Sequence, residues 1–232
     1  MKRILTPVLA VALLLGLGAL AVLAMPSASA PLVAAPFVSA AADFDPDTPA
    51  VGMTNFNAIA MPLDASASIS PFTASGLAAY HGDSVVQVLR WNPGIQSFDS
   101  YVPNVSPSVL DFELEVGRSY FLELDSRSGT VFSIVGDVPE PGEVFFSLTK
   151  GTTATACAFN SVSIPLDQSG IKKASELATD VGGVLQVLQW DAAIQSFNAY
   201  VPGVSPSVLD FDVRIGYPYF ICVNNAGPAQ WP

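Results

Sequence analysis

The chain has 232 residues, half of them hydrophobic and 12% charged, with 9 basic against 20 acidic side chains. That apolar content is enough for one or two packed cores and excludes a wholly disordered polymer. The formal charge of −11 repels nucleic acid and anionic membrane surfaces, so neither is an expected partner.

Residues 1–30 read as a secretory signal peptide. Lys2 and Arg3 form a positive start, Ile4 to Met25 run 22 residues without a charge, and Ala28-Ser29-Ala30 offers a cut after Ala30. Pro31 hinders that cut, and Ser39 to Ala42 offers a later one. An apolar stretch this long also spans a bilayer, so membrane attachment follows only if the leader stays uncleaved. No cysteine lies near the boundary, which excludes a lipid-anchored form. Without Lys2 and Arg3, 7 basic and 20 acidic residues remain, a charge of −13. The expected localisation is secreted or cell surface.

Residues 31–52 are rich in Ala, Pro and Ser and read as a linker. Asp43, Asp45 and Asp47 have the alternate spacing of a calcium loop, but its glycine and distal glutamate are missing. A solvated acidic tether is expected there, with no metal and no cofactor.

Beyond the linker the chain repeats itself. Gln87 to Leu124 and Gln186 to Val223 match at a constant offset of 99 residues, with 22 of 38 positions identical. Two tandem modules follow, 53–142 and 143–232. Each opens on a strand, at Asn55 to Asp64 and at Ala158 to Asp167. The interval after it holds Ile171, Ala174, Leu177, Ala178 and Val181 on one stripe, which predicts a short helix. Its counterpart carries Gly76 where module 2 has Glu176, and glycine costs about 1 kcal/mol in a helix interior, which predicts a shorter or looser helix.

Next come Phe98/Ser100/Val102 and Phe197/Ala199/Val201 as inward-facing sets. Phe112-Glu-Leu114-Glu-Val116 and Phe211-Asp-Val213-Arg-Ile215 alternate as half-buried strands. Tyr120-Phe121 and Tyr219-Phe220 open the last strand after Gly117 and Gly216. Thr130 to Val135 and Glu143 to Leu148 read as two further strands. The second leads directly into module 2 and is either the last strand of module 1 or the first of module 2. The expected fold is mainly β: two homologous sandwich- or barrel-like modules, each with one short helix.

Three short motifs recur as a set. They are Asn57 to Asp64, Trp91 to Phe98 and Gly117 to Phe121, matched by Asn160 to Asp167, Trp190 to Phe197 and Gly216 to Phe220. In these the chain resembles a group of largely uncharacterised exported bacterial proteins built from tandem β-rich modules. The resemblance implies a β-rich extracellular module and brings no activity and no site residues.

Cys157 and Cys222 stand where module 1 has Thr54 and Glu123, so both sites became cysteine together. In an exported chain this points to one disulfide within module 2, against free thiols or an interchain bridge. Tyr101 to Phe112 recurs as Tyr200 to Phe211 with the single change Asn104 to Gly203. It reads either as a binding loop present twice or, the favoured expectation, as a crossover that buries Val109, Leu110 and Phe112. Asp111 and Asp210 are then turn or capping carboxylates. Trp91, Tyr101, Trp190 and Tyr200 are the candidate ligand platform for sugar rings, with Tyr101 expected to face outward. Core or edge packing is the commoner fate of such aromatics.

Catalysis finds no constellation. His81 is the sole histidine and aligns with Val181, no nucleophile elbow or phosphate loop is present, and Glu113/Glu115 reads as a solvated strand face. The expected function is an exported, non-catalytic surface or matrix protein acting through contacts. A carbohydrate-binding module is one alternative. The other is an extracellular filament subunit in which Pro31 to Pro49 adds as a strand to a neighbour's sheet. A glycan and a second copy of the chain are the partners these alternatives imply.

Overall fold

The repeated half of the sequence builds two four-stranded antiparallel sheets with one connectivity. The computed structural model describes residues 55–82, 84–125 and 133–232, all within one compact unit. The expected signal peptide, the expected linker and the Asp43–Asp47 stretch lie outside the described residues. Module 1 comprises β1 (Asn55–Ala60), α1 (Ala74–His81), β2 (Val85–Asn92), β3 (Ser97–Tyr101) and β4 (Ser119–Leu124). After β5 (Phe146–Ser147), module 2 repeats the order as β6 (Ala158–Ser163), α2 (Ala174–Val181), β7 (Val184–Asp191), β8 (Ser196–Tyr200) and β9 (Pro218–Val223), then adds β10 (Gln230–Trp231).

The spatial order is β1-β4-β2-β3 and β6-β9-β7-β8. The last strand of each module therefore lies between the first two and has a neighbour on both sides. All six residues of β4 and of β9 are buried, as expected of a central strand covered on both faces. Even the irregularities recur: the register shifts between Val85 and Gln87 and again between Val184 and Gln186. Where Arg90 meets Asp99 across β2–β3 in a 3.0 Å ion pair, module 2 sets Gln189 opposite Asn198. The pair has changed together, as cross-strand neighbours do.

Each helix covers one face of its own sheet. Leu77 and Ala78 join Val88, Tyr120 and Leu122 beneath α1, and Leu177 and Ala178 join Val187, Tyr219 and Ile221 beneath α2. The other faces meet each other through Leu89, Trp91, Phe121 and Phe220, with Phe56, Phe98, Phe159, Trp190 and Phe197 around them. The layers run helix, sheet, sheet, helix, and the two modules share this central core.

Four expectations need correction. The helices are equally long, eight residues each, despite Gly76. A Cβ at Gly76 would stand 1.8 Å from the Pro71 carbonyl oxygen, so close backbone approach sets that residue. Phe112 to Val116 and its counterpart are not strands and make only single bridges, Thr73 with Glu113 and Lys173 with Asp212. Their alternation is real, with Leu114 and Val213 buried, yet the neighbouring strand places are already filled by β4 and β9. Of the two extra strands, Thr130 to Phe132 lies outside the described residues, and Ser133 to Val135 forms none. Of the two places open to the second extra strand, it takes the one in module 2: β5 pairs with β10, and Phe146 and Leu148 enter the module 2 core.

The fourth correction concerns the recurring Tyr101–Phe112 block. Phe112 packs against its core, but Val109 and Leu110 are 85% and 49% exposed, and Val208 and Leu209 are 74% and 45% exposed. Each pair lies in or beside a short 3-10 turn that lifts it off the sheet.

Candidate functional site

The four platform aromatics do not share a surface. In β2 and β3, Tyr101 lies opposite Val88, on the helix-covered face, whereas Trp91 lies opposite Phe98 on the face turned toward the other module. Module 2 repeats this with Tyr200 opposite Val187 and Trp190 opposite Phe197. Two residues whose positions differ by an even step share a strand face, but Trp91 and Tyr101 sit on different strands, and the hairpin register decides their faces. Tyr101 is half-buried against the module 1 core and does not face outward. The tryptophans and tyrosines thus form no common platform.

The tryptophans instead close the contact between modules. Trp91 stands edge-on to Phe98 at 5.0 Å and to Phe220 of module 2 at 5.5 Å. Trp190 stands edge-on to Phe197 at 4.9 Å and to Phe121 of module 1 at 5.5 Å. Each such pair contributes about 0.5–1.5 kcal/mol beyond area burial. Both indole N–H groups cross the interface: Trp91 Nε1 donates to the Phe159 carbonyl and Trp190 Nε1 to the Phe56 carbonyl, each at 2.9 Å.

Beside each tryptophan a glutamine completes the contact, a role the motif alone did not reveal. Phe159 N donates to Gln96 Oε1 at 2.8 Å, and Gln96 Nε2 donates back to Phe159 O at 3.0 Å. In reciprocal fashion Phe56 N donates to Gln195 Oε1 at 2.8 Å, and Gln195 Nε2 donates to Phe56 O at 3.1 Å. The carboxamide acts as one residue of an added strand, pairing the outer N–H and C=O of an edge strand with its own donor and acceptor. Gln96 and Gln195 reach this position from left-handed backbone, with φ of 52° and 49°. That conformation costs a non-glycine residue roughly 1–2 kcal/mol. The recurrence of Trp and Gln five residues apart in both modules was the available signal.

The predicted disulfide is present: Cys157 is bonded to Cys222 with Cα atoms 5.2 Å apart, tying the residue before β6 to β9. At the matching place in β4, Glu123 is buried at 4% exposure, and burial holds its carboxyl above the usual carboxylate range. Asp111 accepts from Ser75 N at 2.8 Å and from Ser75 Oγ at 2.7 Å, and Asp210 does the same to Ser175. Both carboxylates cap the first turn of a helix, as the sequence suggested. His81, at the end of α1, is half-buried beside Ser84, and desolvation lowers its pKa.

The rest of the recurring block divides in two. Ser106 and Ser205 accept from Val102 N and Val201 N at 2.9 Å, which closes the loop on itself. Asn104 and Gly203, the only exchanged pair, both have positive φ, 60° and 74°, and these are residue types that tolerate it. Tyr101, Phe112 and Asp111 are likewise accounted for by packing and capping. Val105, Val109 and Leu110 are not, and neither are Val204, Val208 and Leu209: all six are exposed.

A cleft of about 350 Å³ lies between module 1 and the segment that connects it to module 2, with Asp64, Glu115, Asp137, Glu140 and Glu143 around Val116, Val144 and Phe145. Its one cation, Arg118, is paired with Glu115 at 3.0 Å and lies over the Phe146 ring. Among the described residues no group of three or more His, Cys, Asp or Glu side chains is placed to hold a metal, and no helix is long and apolar enough to cross a membrane. No protein-family model, curated protein or solved structure matches the chain.

Proposed function

We propose that this is an exported, non-catalytic surface or matrix protein that works through contacts, and that the Tyr101–Phe112 and Tyr200–Phe211 loops make them. The supporting observation is the pair of exposed apolar patches, Val105/Val109/Leu110 and Val204/Val208/Leu209, kept identical in two modules that differ at 16 of 38 aligned positions. Folding does not demand these side chains, since the cores close without them. Solvent exposure favours their replacement by polar residues, so their retention in both copies points to something that covers them. The leader-like first 30 residues and the disulfide fit an oxidising, extracytoplasmic setting. The glycan alternative is the weaker reading because its aromatic platform is divided between two faces of each sheet.

The test is a quadruple variant, Val109→Ser, Leu110→Ser, Val208→Ser and Leu209→Ser, made in the producing cell. The expected result is an unchanged unfolding curve together with a shift of the protein from the cell-surface or matrix fraction into the medium. Unchanged retention of the folded variant sinks this reading.

A further inference from the structure

The interface between modules is self-complementary, and we propose that it also joins two chains, by exchange of modules between copies of this protein. Each module carries both halves of the contact. Module 1 has the acceptor edge at Phe56 and the donor pair Trp91 and Gln96; module 2 has the acceptor edge at Phe159 and the donor pair Trp190 and Gln195. These groups make six hydrogen bonds between modules, while each glutamine Nε2 also donates within its own module, to Pro93 O and to Ala192 O, both at 2.7 Å. The Trp91–Phe220 and Phe121–Trp190 ring contacts and the bond from Ser163 Oγ to Gly117 O likewise run between modules. The arrangement is that of an isologous dimer whose two halves happen to share a chain.

What binds the halves into one chain is short. Asp137 is held to module 1 by a pair of 2.9 Å backbone bonds with Asp64, and Gly142 N is held to module 2 by Asp167 Oδ2 at 2.9 Å. Only Val138, Pro139, Glu140 and Pro141 lie between these anchors, and Val138, Glu140 and Pro141 are exposed. Opening this hinge parts the two modules of one chain and leaves both anchors of the hinge in place. Module 1 of one copy then meets module 2 of another with the same bonds and rings, and two copies close on each other with both interfaces intact.

The single-chain and exchanged forms therefore differ in connectivity and in association entropy, not in contacts. The balance is set by the effective concentration that the hinge imposes on the partner module. Two prolines stiffen the hinge, which limits how freely it can serve the closed single chain. Exchange is favoured where the chain folds at high local concentration. This inference does not depend on the exposed Val and Leu patches.

The test uses two differently tagged versions of residues 31–232, mixed, unfolded and refolded together at rising concentration with the Cys157–Cys222 bond intact. Mass is read by light scattering and mixed species by tandem affinity capture. The expected result is a folded dimer carrying both tags, absent when the two versions are mixed without unfolding. Its share should rise with refolding concentration and rise roughly tenfold further when Pro139 to Pro141 are removed. Gln96→Ala with Gln195→Ala should dissolve the dimer of the shortened chain. Monomers throughout, the shortened chain included, overturn the proposal, and so do multimers that survive both glutamine substitutions. The exposed-patch variant of the preceding section should exchange normally, which separates failure of one idea from failure of the other.

Discussion

Gln96 finishes a strand edge that belongs to the other module: it takes the Phe159 N–H at 2.8 Å and returns a donor to the Phe159 carbonyl at 3.0 Å. Gln195 does the same for Phe56, 139 residues away in the chain. A side chain thereby does what a fifth strand would do, and covers the stretch of each edge that would otherwise invite pairing by another chain.

Truncating these amides should therefore be costly in proportion to the backbone groups released. Gln96→Ala and Gln195→Ala are each expected to destabilise by about 1 kcal/mol, because the Phe159 and Phe56 edges lie partly within reach of water. Gln96→Glu should be at least as harmful, since a carboxylate accepts from Phe159 N but returns no donor. Urea midpoints measure this; a glutamate variant as stable as the parent would falsify the pairing role.

Gly76 offers a prediction whose sign runs against helix propensity. Gly→Ala in a helix interior ordinarily stabilises by about 1 kcal/mol. Here the new Cβ meets the Pro71 carbonyl oxygen at 1.8 Å, so Gly76→Ala should destabilise by about 1–3 kcal/mol, the scale of overpacking. At the equivalent place in α2, Glu176 accepts from Lys172 N at 2.7 Å and Lys173 N at 3.1 Å. Glu176→Ala should cost about 1 kcal/mol through the lost cap. Thermal unfolding of the two variants distinguishes the causes, and a more stable Gly76→Ala protein removes the argument.

The disulfide closes a loop of 65 residues. In the chain-entropy account, replacing both cysteines by alanine should cost roughly 4 kcal/mol. The loss should appear first in module 2, where Cys157 and Cys222 tie β6 to β9. Hydrogen exchange of β9 against β4 reads this directly. Equal loss of protection in the two strands would mean that the modules unfold only as one unit.

Glu123 supplies a pH dependence. Its carboxyl, buried in β4 beside Phe56 and Gln87, titrates above its ordinary value because burial disfavours the charged form. The folded state then binds this proton more tightly than the unfolded state. Its contribution to stability is complete below the ordinary glutamate range and is lost as pH rises through the elevated folded value. Glu123→Gln should be more stable than the parent at pH 7 and equal to it near pH 4. A glutamine variant that is weaker at pH 7 contradicts this reading, and melting curves at the two pH values are sufficient.

Much of the fold was legible along the chain. The 99-residue register announced two copies, so identical strand order and identical bulges followed without further information. The paired change of Thr54 and Glu123 to Cys157 and Cys222 identified a disulfide, because two distant positions rarely change together unless they touch. Asp111 and Asp210 read as turn or capping carboxylates, and capping is the role they take. The strands were less legible. Phe112 to Val116 alternates as a half-buried strand should, yet alternation reports only that one side is covered, and a segment lying across a helix start satisfies it equally well.

The site was legible in identity and not in placement. Trp91 and Gln96 stood out because both recur, but their partners lie in the other module, at separations of 68 and 63 residues. A local pattern carries no record of which distant backbone a side chain will meet. The same holds for Val109 and Leu110, which are apolar like core residues and are exposed.

By itself the sequence determined the duplication, the mainly β character, the short helix in each module and the cysteine pair. These follow from periodicity and from comparing one half of the chain with the other. Tertiary structure alone decided that both faces of each sheet are covered, one by a helix and one by the other module. Placing β4 and β9 at the centres of their sheets buries both faces, and two buried faces look alike in a sequence. Only the packing of the halves shows that Trp91 and Tyr101 look in opposite directions and that Gln96 completes a strand it does not belong to.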